Sequence, residues 1–232
     1  MSTPAPIPSP GATLYAAALP DVIDLLAGIE PGDHLDTIRR QRREARTHAQ
    51  ESYRALFAPT APAPGSVTLA ERLAVAAFVA GLHQQPDAAA FYAAALVAQD
   101  AGAGLAPAIA TEVSRGAAQG PYGHYPAGPL SRENTDGPAY AVCDAQRAVL
   151  GMRLSAGLAH AHLLTFHPRD ASPEALQALL DAGWSATDIV ILSQLVAFLS
   201  FQIRVVVGLR ALAAHPAPAT ASSIPRTAEA QP

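Results

Sequence analysis

Residues 185–212 read SATDIVILSQLVAFLSFQIRVVVGLRAL, the longest strongly apolar run in the chain. Ser185 stands where an N-cap is needed, and Asp188 is at the third helical position, so the two form a capping box. Aliphatic and aromatic side chains then fill nearly every face of the helix. Such a helix is buried on all sides, in a core, a subunit interface or a membrane. The apolar length of 189–209 would span a bilayer. However, Ser193, Gln194, Ser200, Gln202 and Arg204 are spread along it, and no excess of Lys or Arg flanks either end. Other apolar helical faces in the chain also need a partner. The expectation is the central helix of an all-α domain, with no membrane span.

Composition agrees. The chain has 232 residues, enough for one well-stabilised domain. Half of them are hydrophobic, Ala dominates, and no stretch alternates with strand period. The net charge of −4 is mild, and no basic stripe marks a nucleic-acid partner. One cysteine leaves no intrachain disulfide and no Cys-rich metal site. The opening MSTPAPIPSPGA has neither a basic n-region nor an apolar h-region, so a cytoplasmic protein is expected.

Taken in order, the chain suggests about eight helices between two flexible tails, at 1–12 and 214–232, with one helical domain over 13–213. A short helix near 20–29 ends at Pro31-Gly32. Asp33 caps a long polar helix that continues to about Phe57. After the Pro-rich connector APTAPAPGSV, Thr68 and Glu71 form a second capping box at the head of LAERLAVAAFVAGLHQQ. DAAAFYAAALVAQDAG follows Pro86, and LAPAIATEVSR makes one more short helix. Residues 116–138, GAAQGPYGHYPAGPLSRENTDGP, hold too many Gly and Pro for a helix. The cluster Tyr122, His124, Tyr125 favours an ordered loop packed on something. Helix resumes at about Ala139 and runs to about Thr165. Ser172-Pro173 opens the next helix, and Gly183 stops it.

The stretch LAERLAVAAFVAGLHQQPDAAAFYAAAL resembles the core helix pair of the carboxymuconolactone decarboxylase and alkylhydroperoxidase D-like superfamily. ARTHAQESYRALFAP resembles the helix preceding that pair. LAHAHLLTFHPRDASPEALQALLDAGWSATDIVILSQLVAFLSFQIRVVVGL resembles the closing section. The likeness covers roughly residues 40–212 and lies in helix order and spacing. It implies an alkylhydroperoxidase D-like helical bundle that forms homo-oligomers. In the peroxidase members, a Glu is followed by a CxxC pair and a His that relay protons to and from the thiols. Carried over to this chain, the Glu falls on Glu71, the cysteines on His83 and Pro86, and the His near Ala90 or Phe91. Only the Glu is kept. A dithiol cycle cannot run at His83 and Pro86.

Two catalytic candidates follow, each with a structural alternative. Glu71 is either a proton-transfer group or simply the third residue of its capping box. His83 is either a general acid or base lining the pocket or a C-cap bonded to exposed carbonyls. Three further residues are candidates for the pocket or its lid. His124 either closes over a ligand or packs on the surface. Tyr92 follows Pro86 on the next helix. Cys143 is either a buried structural thiol or the nucleophile of a one-cysteine peroxidase. His160 and His162 lie two apart, point in different directions and form no metal pair, though one of them could face the pocket. His167 belongs to a helix-ending turn. Arg204 is expected to be buried and structural, with Glu71, Asp188 or Glu112 as its anionic partner.

Three functions are compatible with these residues. One is a non-thiol enzyme acting on a small organic acid or lactone through His83 and Glu71. Another is a degenerate member that binds a small molecule or a partner protein. The third is an alkylhydroperoxidase-like antioxidant using Cys143 or the thiols of a partner chain that carries the CxxC pair. No cofactor signature and no metal-ligand spacing are present.

Overall fold

The computed structural model describes residues 20–59, 67–99 and 104–215. The first expected tail, residues 216–232 of the second and most of the Pro-rich connector lie outside these residues, while Ala214, expected in the second tail, still belongs to the last helix. The described chain is all-α, with nine α-helices. They are α1 (Val22–Ala27), α2 (His34–Gln41), α3 (Arg43–Phe57), α4 (Leu69–Leu82), α5 (Pro86–Gln99), α6 (Leu105–Gly116), α7 (Asp144–Phe166), α8 (Pro173–Asp181) and α9 (Ala186–Ala214).

Both capping boxes form as the residue types demand. Ser185 Oγ accepts from Asp188 N–H at 3.2 Å, and Asp188 accepts from Ser185 N–H at 3.1 Å. Thr68 and Glu71 make the same exchange at the head of α4. Asp33 behaves differently. It occupies the N-cap position of α2, but its carboxylate accepts from Glu30 N–H, closing the preceding turn.

The innermost helix is α4. From Leu73 to Ala80 every side chain is buried, and α3, α5, α6, α7 and α9 pack around it. Its alanines let those neighbours approach closely. By contrast, α9 is not enclosed on all sides. Leu192, Leu195, Leu199 and Ile203 face the core, while Val190, Gln194, Ala197, Phe201 and Arg204 form an exposed stripe at helical spacing. Among the described residues, α9 alone is long and apolar enough to cross a membrane, and 56% of its most apolar window is buried inside the protein. Arg204 stands on the outer stripe, so it is exposed and reaches only Ser200 O, at 3.5 Å. The anionic partners expected for it serve other residues, as described below.

Two expected helices are divided or shortened. The polar helix over 33–57 breaks at Arg42. Arg39 from α2 and Arg46 from α3 both reach Asp24, and Arg46 also holds Asp36 at 2.9 Å. This ion-pair network spans the break. The helix expected from Ala139 begins only at Asp144, with Cys143 as N-cap. Tyr140 and Val142 are instead spent on packing in extended chain. Within α7, Gly151 has φ 73° and ψ 167°, a kink in the left-handed region that only glycine adopts without strain.

Candidate binding site

The sequence periodicity of two helices opens a cavity. On α7, Ala156, Ala159, His160 and Leu163 share one face. On α8, Ala175, Ala178 and Leu179 do the same. The two faces meet across a space of about 370 Å³, within the usual range for small-molecule sites. Four of these seven side chains are alanines, too short to fill the gap. The third wall is the backbone and side chains of Gly137, Pro138, Ala139 and Tyr140, and His162, His167 and Asp170 complete the lining.

Each wall is fixed by local chemistry. Ser172 Oγ accepts from Ala175 N–H at 3.3 Å, and Pro173 opens α8. Trp184, after α8, is buried and donates from its indole N–H to Arg153 O at 2.8 Å. Gly157 of α7 passes so close to Trp184 that a Cβ there would lie 2.6 Å from the ring. The loop between α6 and α7 is pinned to the end of α7. Tyr122 N–H donates to Phe166 O at 2.6 Å. Asp170 accepts from His124 N–H at 2.9 Å and faces His167 Nδ1 at 3.1 Å. His167 Nε2 donates to Pro138 O at 3.2 Å. These bonds draw the carboxylate of Asp170 below the ordinary range, with the His124 amide the largest cause.

Tyr140 and His162 stack with their rings 4.5 Å apart. His162 Nε2 donates to Gly116 O at 3.0 Å. The Tyr140 hydroxyl donates to Glu112 Oε2 at 2.8 Å. Glu112 is completely buried, and it also holds Arg115 Nε at 3.3 Å and accepts from Cys143 Sγ at 3.5 Å. Burial and the neighbouring carboxylate push the Tyr140 phenol far above its usual range, so it remains a neutral donor.

His160 differs from the rest. It is 6% exposed, and neither ring nitrogen has a hydrogen-bond partner among the described residues. Burial lowers its pKa, which favours the neutral ring. A neutral imidazole has one N–H and one acceptor lone pair. Leaving such groups unbonded in the interior costs about 1–3 kcal/mol each. Nearly all buried polar groups are satisfied, so each exception calls for an explanation; among the described residues the others are Ser155 Oγ and Gln202 Nε2.

The residues singled out from the sequence are scattered. Glu71 and His83 lie at opposite ends of α4, twelve residues or about 18 Å apart along the axis. Glu71 caps α4 and accepts from Arg153 Nε at 2.8 Å. His83 Nε2 lies 3.1 Å from Ser200 Oγ, and burial, helped by the nearby Arg204, lowers its pKa. Neither lines the cavity. Tyr92 is wholly buried in the core, between Phe57 and Phe91, and donates to Gln202 Oε1 at 2.6 Å. It forms part of no lid. His124 is exposed, with Nε2 3.1 Å from Asp136, and reaches the site only through its backbone N–H. The cavity is covered instead by residues 137–140 of the same loop. Cys143 sits behind that wall, against Glu112. Among the described residues, no group of three or more His, Cys, Asp or Glu side chains is placed to hold a metal ion.

The alanine spacing at 156, 159, 175 and 178 was visible in the sequence, but alanines are so common in this chain that it carried no signal. The contribution of residues 137–140 and of Asp170 depends on loop docking that no local pattern announces. No family model, no curated protein and no solved structure matches the chain.

Proposed function

We propose that this protein binds a small organic molecule in the cavity between α7, α8 and the 137–140 segment. The observation that carries this reading is His160, buried at the cavity wall with both nitrogens unbonded. Ser155 Oγ and Gln202 Nε2 are also unbonded among the described buried groups, but neither residue lines this cavity; His160 alone of the three stands at it. The apolar walls supply burial, and the few polar groups supply orientation. On this reading the site is at His160 rather than at Glu71 and His83.

The experiment is a thermal-shift screen of small organic fragments on the wild type and on Ala178→Trp. The indole introduced at 178 fills the cavity. Fragments that raise the melting temperature of the wild type should lose that effect in the variant. A screen in which no fragment binds the wild type, or in which the variant binds every fragment equally well, overturns the reading.

A further inference from the structure

We infer that the cavity selects a neutral, mostly apolar ring compound bearing a hydroxyl group, with His160 as the residue that recognises the hydroxyl. This rests on the binding reading above and deepens it.

Charge comes first. No Lys or Arg lines the cavity, and the charged group on its wall is the carboxylate of Asp170. An anionic ligand would therefore be desolvated without a counter-charge and beside a like charge, which is strongly unfavourable. Shape comes second. Ala156, Ala159, Ala175 and Ala178 give the cavity small-residue walls, and Leu163 and Leu179 add apolar surface beside them. An apolar ring system buries its surface against such walls.

Hydrogen bonding decides the polar group. The neutral His160 ring holds one donor and one acceptor, both unused. A hydroxyl is the smallest group that can satisfy either nitrogen, because it both donates and accepts. The nitrogens sit in the wall and are closed to solvent. Presenting one to a ligand requires the imidazole to turn about χ2. Three of the other ring nitrogens on the wall are committed. His162 Nε2 is held by Gly116 O, and both nitrogens of His167 are engaged by Asp170 and Pro138.

Three probes with one ring system isolate the polar group: 2-naphthol, naphthalene and 2-naphthoate, titrated against the full chain by fluorescence. The expected result is that 2-naphthol binds about tenfold more tightly than naphthalene, the worth of one buried hydrogen bond. Naphthoate should bind more weakly than either. His160→Phe, its fold checked by circular dichroism, should abolish the advantage of 2-naphthol over naphthalene, whereas His83→Ala, which lines none of the wall, should keep it. Equal binding of naphthol and naphthalene to the wild type overturns the inference while leaving the cavity a binding site. So does naphthoate binding as tight as naphthol, or a naphthol advantage that persists in His160→Phe. Binding of none of the three overturns both this inference and the binding reading.

Discussion

Arg153 Nε donates to Glu71 Oε1 at 2.8 Å, joining two residues 82 positions apart. The same guanidinium reaches Asp188 at 3.3 Å, bonds the carbonyl of Gly183 and lies 4.4 Å from the centre of the Trp184 ring. The two capping-box acids of α4 and α9 are thus tied to one side chain of α7. Glu71 therefore acts as a structural hub: it caps its helix and anchors a second one. The carboxylate of Asp188 is almost fully buried and depends on its partners.

Arg153→Ala should therefore destabilise the fold by about 3 kcal/mol, because it removes a partner from a buried acid. Glu71→Gln should cost less, about 1 kcal/mol, since the amide can still accept at the helix start. Urea denaturation of the two variants beside the wild type checks the order. A larger loss for Glu71→Gln than for Arg153→Ala would contradict it.

The buried histidines imply a pH dependence of stability. Burial lowers the pKa of both His160 and His162 from the ordinary 6.5. The unfolded chain takes up protons at that ordinary value, but the folded chain resists them. The stability contributed by these rings is thus complete above 6.5 and falls as the pH drops below it, until the folded-state values are passed. Around the cavity, His162, His167, Tyr140 and Asp170 face the same space as His160. Thermal melts from pH 7.5 to 5 should show a falling midpoint, with a shallower slope in His160→Phe. An unchanged slope in that variant would rule out His160 as a source.

Gly157→Ala should be destabilising although it raises helix propensity. The new Cβ would sit 2.6 Å from Trp184, which is itself held by its bond to Arg153 O. The expected loss is about 1–3 kcal/mol, as in other overpacked cores. Calorimetric melting that gives equal or higher stability would show that the Trp184 ring can move aside.

Tyr140→Phe should cost about 1–3 kcal/mol, because it withdraws a hydrogen bond from the fully buried Glu112. Tyr140→Phe combined with Glu112→Gln should cost less than the sum of the two single changes, since the two residues share one contact. A double-mutant cycle by denaturant titration measures this. Strict additivity would mean that the Tyr140–Glu112 bond carries no weight.

His83→Ala should leave binding in the cavity unchanged, because His83 turns toward Ser200 on α9 and lines none of the wall. Titration of 2-naphthol against this variant is the check. A loss of affinity comparable to that of His160→Phe would return His83 to the site.

How much of this was legible in the chain follows from the range of each interaction. The capping boxes Thr68–Glu71 and Ser185–Asp188 are local: four residues carry the whole bonding pattern, and both form. Helix existence follows from composition and period over ten or more residues, so the all-α architecture was determined by the sequence alone. The Gly- and Pro-rich segment also declared itself free of a long α-helix, because those residues forbid a continuous hydrogen-bond ladder, although a short 3₁₀ turn forms at Pro129–Glu133. What the sequence left open required distant partners. The apolar character of α9 specified that it needs burial, but not that one stripe would face outward. The types of His160, His162, Tyr140 and Glu112 said nothing of which ring would stack, which acid would be shielded, or which imidazole would be left unbonded. Those outcomes are settled when α7, α8 and the loop dock, because a hydrogen bond or an ion pair depends on distances of a few ångströms between residues separated by dozens of positions. The sequence determined the helices and their caps; only the tertiary structure decided that facing alanines leave a cavity and that His160 stands unbonded at its wall.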